Sequence, residues 1–163
     1  MIRVREASKR RIRLSNGVKL KMPCDGRLWS YIEFEDRLMA VVNMRHGNGC
    51  DQYRNIFCWR KEDGGLLWQV ARAVRPDGRE CEGVYKNLKL QVRRPDGGYR
   101  EGGIEEWWSG YETPEGILVE VYLKPFRVGV DRLVSMTWED YPCEVEVDYE
   151  TGAVRFLALH QKV

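Results

Sequence analysis

Apolar and polar residues alternate with a period of two along much of the chain. Residues 144–148 read EVEVD, and the segments RIRL and VKLK near the N-terminus show the same alternation. This is the pattern of a β-strand with one buried face and one solvent-exposed face. Most other apolar runs are short and rich in Val, Ile, Tyr, Phe and Trp, which favour strands. The sequence therefore predicts an all-β protein, or nearly so, with roughly ten short strands.

Turn residues separate these runs at short intervals. Asn16-Gly17 lies between RIRL and VKLK, and both residues tolerate the positive φ angles of a type I′ hairpin turn. Asp63-Gly64-Gly65 separates NIFCW from LLWQV in a similar way. Further turns are predicted at Glu35-Asp36, Pro76-Asp77-Gly78, Pro95-Asp96-Gly97-Gly98 and Thr151-Gly152.

The two Trp-containing runs predict a hairpin that packs in the core. Phe57 and Trp59 are expected to share one face of the first strand, and Leu66 and Trp68 one face of the second. Core packing is favoured over ligand stacking for both tryptophans, because cross-strand aromatic pairs stabilise sheets.

Residues 82–91, EGVYKNLKLQ, are ambiguous. Val84, Leu88 and Gln91 would share one face of a helix, whereas Leu88 and Leu90 alternate as in a strand. The strand is favoured, and one short helix stays open as the alternative.

Two parts of the chain echo each other. Residues 31–71 and 126–160 each predict strand, tight turn, strand, loop, strand, tight turn and strand, and Asp36-Arg37-Leu38 corresponds to Asp131-Arg132-Leu133. A four-stranded unit of about forty residues resembles one blade of a β-propeller. The segment from Trp138 through Gly152 also resembles the chain end of small bacterial β-rich proteins.

The resemblance implies antiparallel meanders but not a closed ring. A propeller generally needs at least four blades, and residues 72–125 contain no third copy of the unit. We therefore expect one domain over residues 1–163, with two blade-like antiparallel meander sheets packed as a sandwich or half-open barrel. Residues 1–22 are expected to form a basic hairpin.

The cysteines and the N-terminus bear on the compartment. The five cysteines, Cys24, Cys50, Cys58, Cys81 and Cys143, include no C-x-x-C pair, so we expect buried, reduced thiols rather than disulfides or a metal site. No apolar run reaches the roughly 18 residues that span a bilayer. The basic N-terminal segment lacks the apolar core of a secretory signal. We expect a cytoplasmic protein with no membrane partner and no cofactor.

The loop of residues 43–55 is the first candidate site. It holds Arg45, His46, Cys50, Asp51 and Arg54. A Cys-His pair can form a nucleophile, and His, Cys and Asp can ligate a metal. A plain polar loop is the favoured alternative, and among functional roles we expect a recognition loop.

The segment of residues 102–116 is the second candidate. Glu105, Trp107, Trp108 and Tyr111 combine aromatic rings with carboxylates. Such a group could bind a cation or a sugar, or anchor a protein interface. Together with Trp29 and Trp138, the two Trp residues could also line a pocket for a sugar, nucleotide or cyclic signal.

Charge is distributed unevenly, and this suggests a partner. Residues 1–21 carry eight Lys or Arg and one acid, whereas residues 101–163 carry five bases and 13 acids. The basic end could contact nucleic acid, although a solvated strand face is favoured. The acidic end suits a basic protein such as a nuclease toxin. The opposite charges also allow a homodimer.

Motifs of catalysis are absent from the sequence, which contains no G-x-S-x-G, P-loop or H-E-x-x-H pattern. We therefore expect a non-catalytic protein-binding module of bacterial or phage type, an inhibitor or immunity protein that neutralises a partner protein. The alternative is a small-ligand binding protein with an aromatic pocket, and an enzyme is the least favoured interpretation.

Overall fold

Every regular element that the structure describes is a β-strand. The computed structural model describes residues 1–45, 47, 49–102 and 108–161, with the side chains of Trp108 and Ser109 left out. Fifteen strands lie in these ranges, and no helix long and apolar enough to cross a membrane occurs among them. The predicted all-β fold is confirmed, with more strands than the roughly ten expected from the sequence.

The first three strands form a small antiparallel sheet, the N-terminal sheet. They are β1 (Val4–Ala7), β2 (Arg11–Leu14) and β3 (Lys19–Lys21). The predicted hairpin between β2 and β3 is confirmed. The type I′ geometry predicted for its turn was wrong, because of Asn16 and Gly17 only Gly17 has a positive φ, +90°. Gly17 donates its backbone N–H to the Leu14 carbonyl over 3.0 Å, which places Ser15 and Asn16 at the centre of the turn and Gly17 after them in the left-handed conformation.

A six-stranded central sheet has the order β11-β12-β4-β5-β6-β7. Its middle is the antiparallel meander predicted from residues 31–71. At one edge β12 pairs in parallel with β4, so that Leu118 lies opposite Ser30 and Tyr122 opposite Phe34. The strands are β4 (Arg27–Phe34), β5 (Arg37–Asn43), β6 (Ile56–Arg60), β7 (Leu66–Gln69), β11 (Trp108–Glu112) and β12 (Leu118–Tyr122).

The other six strands form the C-terminal sheet. Its main order is β10-β9-β13-β14-β15, and β8 pairs with the far end of β13. The strands are β8 (Val84–Tyr85), β9 (Lys89–Arg93), β10 (Tyr99–Glu101), β13 (Asp131–Trp138), β14 (Cys143–Val147) and β15 (Val154–Leu159). Residues 82–91 therefore contribute to two strands, as favoured, and form no helix.

The second repeat unit was predicted with one strand too many. Residues 126–130 are not a strand, because they wrap around the buried carboxylate of Asp131. This carboxylate accepts hydrogen bonds from the backbone N–H of Arg127 at 2.9 Å and from its guanidinium, while Gly129 turns the chain at φ +83°. Only β13, β14 and β15 remain of the four expected strands.

The three sheets stack in three layers with two apolar cores. One core lies between the central and C-terminal sheets and includes Phe34, Trp68, Tyr85 and Val145. The other lies between the central and N-terminal sheets and includes Ile12, Leu38 and Trp59. The predicted sandwich is thus confirmed for the two larger sheets. The basic N-terminal strands add a third layer, so the central sheet is buried on both faces.

The Trp-containing hairpin packs in both cores. Phe57 and Trp59 share a face as predicted, with ring centroids 5.9 Å apart. The prediction that Leu66 and Trp68 share a face was wrong. A register shift between β6 and β7 leaves Leu66 56% exposed, whereas Trp68 is buried with Leu67 packed against the same core.

Candidate functional site

Two neighbouring cavities form a cationic groove beside the N-terminal sheet. Their volumes are about 640 and 390 Å³, and they share Arg10, Lys21 and Asp25 in their walls. We use the name cationic groove for both cavities together. Its six cationic side chains are Arg10, Arg11, Lys19, Lys21, Arg27 and Arg45, and its single acid is Asp25.

The alternation of β2 and β3 turns their cations toward this groove. Ile12 and Leu20 are buried in the core, so the residues on either side of them along each strand point to the solvent-exposed face. Arg11 lies directly opposite Lys21 in the register of the two strands. Like charges in such a cross-strand pair destabilise a sheet. An anion bound between them would make the pair stabilising.

The turn between β3 and β4 forms one wall of the groove. Cys24 and Asp25 both adopt positive φ angles, 56° and 51°, and Gly26 donates its N–H to the Pro23 carbonyl over 2.8 Å. This is the geometry of a type I′ turn, which non-glycine residues adopt only at some cost. Gly26 itself is required, since a Cβ there would lie 2.4 Å from Val42 Cγ1.

A disulfide joins this turn to the loop of residues 43–55. Cys24 and Cys50 are bonded, with their Cα atoms 6.1 Å apart. The expectation that all five cysteines are reduced thiols was therefore wrong for this pair. The two residues are 26 positions apart, and only the tertiary fold brings them within bonding distance. Cys58, Cys81 and Cys143 are free and buried, as expected.

The groove's positive charge is not compensated within the described part of the chain. None of its six cations has an ion-pair partner there, whereas Arg13 on the same strands pairs with Glu6 at 2.8 Å. The one internal contact, from the Arg10 guanidinium to the backbone carbonyl of Asp25 at 2.7 Å, fixes the side chain without neutralising it. The groove can therefore attract an anion.

The arginine side chains of the groove suit the binding of anions. A planar guanidinium can hold a carboxylate or phosphate by two parallel hydrogen bonds. The arrangement favours recognition of an anionic group.

The predicted recognition loop contributes Asn43, Met44 and Arg45 to the groove, and Arg45 is its only cation there. Arg45 lines it, and Cys50 holds the loop through the disulfide, so Cys50 carries no reactive thiolate. His46 lies outside the described residues. Asp51 and Arg54 shape the loop instead. Asp51 accepts from Tyr53 N at 2.9 Å, and Arg54 donates to the Val70 carbonyl at 3.0 Å.

The second predicted site is only partly described. Glu105 and Trp107 lie outside the described residues, and for Trp108 only the backbone position at the start of β11 is known. Tyr111 is 55% exposed on the same strand. Next to it, burial raises the pKa of Tyr31 above its usual range, and Tyr111 adds to that effect.

Trp29 and Trp138 do form a pair, with ring centroids 6.0 Å apart and Trp138 66% exposed. Trp108 does not join them, because it pairs with Tyr122, which lies opposite Phe34 at the other end of β4 from Trp29. Neither member of the Trp29–Trp138 pair lines the cationic groove. Trp108 is thus separated from the Trp29–Trp138 pair, and Trp107 lies outside the described residues.

Sequence reasoning found the basic segment and Arg45 but treated them as separate sites, and it did not identify Arg27 or Asp25. Arg27 lies before the predicted unit of residues 31–71, and only the longer β4 of the structure places it beside Asn43 at the end of β5. These residues are register partners and both line the groove.

No family model, curated protein or solved structure matches this chain. The functional interpretation therefore rests on the geometry of the groove.

Proposed function

We propose that this protein is a non-catalytic binding module that recognises an acidic surface of a partner protein through the cationic groove. The observation that carries the proposal is the set of six cations without an ion-pair partner among the described residues, which β2, β3, the start of β4 and the disulfide-anchored loop bring together beside a single acid. Uncompensated charge of one sign speeds association with a partner of opposite charge and fixes its orientation.

A protein partner is favoured over nucleic acid for two reasons. The described residues that line the groove include no aromatic side chain, so bases would find no stacking surface there. Residues 101–163 carry an excess of acids, which would repel a long polyanion. An acidic protein surface presents its charges over a limited area and suits a groove of this size.

Inhibition or neutralisation of the partner is the role we propose for this binding. A three-layer scaffold with two apolar cores holds the groove, and a preorganised surface loses less entropy when it binds. The expectation of a basic partner would instead involve the acid-rich residues 101–163 and draws no support from the groove. An aromatic small-ligand pocket is also less supported, because Trp108 lies apart from Trp29 and Trp138.

The expected cytoplasmic location stays a prediction. The Cys24–Cys50 disulfide favours an oxidising compartment, since disulfides rarely persist where glutathione and thioredoxin keep thiols reduced.

The test compares two variants with the same change in net charge. Arg27→Glu with Arg45→Glu reverses charge in the groove, and Lys86→Glu with Arg93→Glu reverses exposed charges outside it. Binding of a short poly-glutamate peptide and of a DNA duplex is measured by calorimetry at low and moderate salt. We expect the peptide to bind the wild type and the control variant, with affinity falling as salt rises, and the groove variant to bind it at least about tenfold more weakly.

Two outcomes would overturn the proposal. In one, the groove variant and the control variant bind the peptide equally. In the other, the duplex binds more tightly than the peptide and loses affinity in the groove variant, which would identify a nucleic-acid site instead.

A further inference from the structure

Two buried thiols lie within bonding reach of each other, away from the cationic groove. Cys81 Sγ and Cys143 Sγ are 2.6 Å apart, and both residues are at most 1% exposed. This separation is well below the usual contact distance between non-bonded heavy atoms, about 3.5–4.0 Å for carbon. The two sulfurs therefore need little movement to form a covalent bond.

Hydrogen bonds on both sides hold the two cysteine backbones in place. The Cys81 N–H donates to the Ala73 carbonyl over 2.8 Å, and the Cys143 N–H donates to Thr137 Oγ1 over 2.9 Å. Cys81 lies in the segment before β8, and Cys143 is the first residue of β14. The pair thus connects segments that are 62 residues apart in the chain.

Glu139 lies close enough to the two cysteines to form a three-residue metal site with them, because its carboxylate is within 4.8 Å of both sulfurs. That carboxylate is already engaged. It accepts hydrogen bonds from the Arg75 guanidinium at 3.0 Å and from the backbone N–H groups of Glu82 and Gly83 at 3.3 and 3.2 Å. A metal ion would have to compete with these donors and lie beside a guanidinium, which repels it.

The spacing of the sulfurs also disfavours a metal. Two thiolates bound tetrahedrally to zinc at about 2.3 Å each lie about 3.8 Å apart. The observed 2.6 Å would have to widen by more than an ångström, although both backbones are fixed. A disulfide requires the sulfurs to approach instead.

We propose that Cys81 and Cys143 form a redox site that converts between a dithiol and a second disulfide, with a low-molecular-weight disulfide such as oxidised glutathione as the oxidant. One S–S bond forms between the two Sγ atoms, and the S–S bond of the oxidant breaks. The two thiol protons and two electrons pass to the oxidant, which leaves as two thiols.

The surroundings determine how this reaction proceeds. Burial raises the pKa of the Cys81 thiol, and the neighbouring Cys143 adds to the effect, while contact with the Arg75 guanidinium opposes it. The thiolate is the attacking species. Oxidation of the folded protein is therefore slow.

The test uses the full-length folded protein equilibrated in glutathione buffers of graded oxidising strength. After acid quenching, the protein is denatured without reductant, alkylated with N-ethylmaleimide and weighed. In the most reducing buffers that still leave the Cys24–Cys50 disulfide intact, we expect three N-ethylmaleimide adducts per chain. They lie on Cys58, Cys81 and Cys143. One adduct, on Cys58, is expected at the oxidising end, with the other two lost together.

Controls are available within the same chain. As the buffer becomes more oxidising, the number of adducts on Cys58→Ser should fall from two to none. In Cys143→Ser, Cys81 should stay alkylated at every ratio of reduced to oxidised glutathione. Peptide mapping without reduction should find a Cys81–Cys143 cross-link. If both thiols stay alkylated at the oxidising end while the Cys24–Cys50 disulfide is intact, the proposal is wrong. Protection of both thiols by zinc chloride, with one zinc bound per chain, would equally overturn it in favour of a metal site.

Discussion

Lys61 donates a hydrogen bond from Nζ to Glu33 Oε1 over 2.9 Å, and the two side chains are only 1% and 3% exposed. The same carboxylate oxygen accepts from the backbone N–H of Val4 at 2.8 Å and from Arg3 Nε at 3.2 Å. Lys61 also donates to the Ile2 carbonyl at 2.9 Å. Burial lowers the pKa of Lys61, and the hydrogen bond to Glu33 opposes that shift. This buried ion pair fixes the start of the N-terminal sheet on the central sheet.

Removing one partner of this pair should be strongly destabilising. Lys61→Ala leaves a buried carboxylate without its closest cation, and we expect the free energy of unfolding to fall by about 3–5 kcal/mol. Guanidinium denaturation followed by Trp fluorescence would measure it. The control is Arg13→Ala, which breaks an exposed pair with Glu6 and should change the free energy by less than about 1 kcal/mol.

A double substitution tests whether the loss comes from the weakened charge balance at Glu33, which keeps only the half-exposed Arg3 as a cation. Lys61→Met with Glu33→Leu removes both charges, so we expect most of the stability lost in Lys61→Ala to return. A double variant as unstable as Lys61→Ala would show that the hydrogen bonds to Ile2, Arg3 and Val4 matter more than the charge balance.

Gly152 should not tolerate a side chain, because it lies against Trp68. Its φ is +74°, and a Cβ would lie 2.5 Å from Trp68 Cε3. The indole is also held by a hydrogen bond from Nε1 to the Tyr149 carbonyl at 3.0 Å. Gly152→Ala should therefore lower the free energy of unfolding by about 2–4 kcal/mol through backbone strain and overpacking.

The matched control for Gly152 is Gly78, which has a φ of +88° and where a Cβ would meet no atom within 4 Å. Gly78→Ala should cost about 1 kcal/mol, the backbone contribution alone. Thermal melts of the two variants under identical conditions separate the contact with Trp68 from the backbone conformation. Equal losses in both would contradict the close contact.

Glu120 should make stability depend on pH. It lies on β12, and Oε2 has no hydrogen-bond partner among the described residues. Burial, with a smaller contribution from Glu101, raises its pKa to about 7. The pKa of this carboxyl is about 4.3 in the unfolded chain and about 7 in the folded chain. The free energy of unfolding therefore falls as pH rises between these two values, and it is constant above about pH 7.

Glu120→Gln removes this dependence. We expect the variant to match the wild type near about pH 4 and to be more stable by about 3 kcal/mol near about pH 8. Urea denaturation at a series of pH values gives the difference directly, and Glu115→Gln on an exposed turn provides the control. A difference that stays constant with pH would show that the carboxyl titrates alike in both states.

Loss of the Cys24–Cys50 disulfide should destabilise the protein and weaken the groove. The bond closes a loop of 26 residues, for which chain entropy predicts about 3.5 kcal/mol. Cys24→Ser with Cys50→Ser is measured by denaturation and by binding of the poly-glutamate peptide. We expect weaker binding as well, since Arg45 and Asp25 lose a shared anchor. Unchanged binding would show that the turn holds its geometry alone.

Local features followed directly from the sequence. Gly17 ends the turn of the β2–β3 hairpin because glycine accepts the left-handed conformation, although Asn16 does not share it as predicted, and the alternation at 144–148 becomes β14 with Cys143, Val145 and Val147 buried. The resemblance between residues 31–71 and 126–160 was only partly right. Nothing local showed that the Asp131 carboxylate would hold residues 126–130 in a turn.

The sequence by itself determined the all-β class, most of the turns and the inward face of individual strands, because backbone preferences and side-chain alternation depend on neighbouring residues. Tertiary structure decided the parallel pairing of β12 with β4, the stacking of three layers, the Cys24–Cys50 bond and the burial of Lys61. It also brought Arg10, Arg27 and Arg45 to one groove. These features join residues far apart in the chain, and their stability depends on how well the complete cores pack.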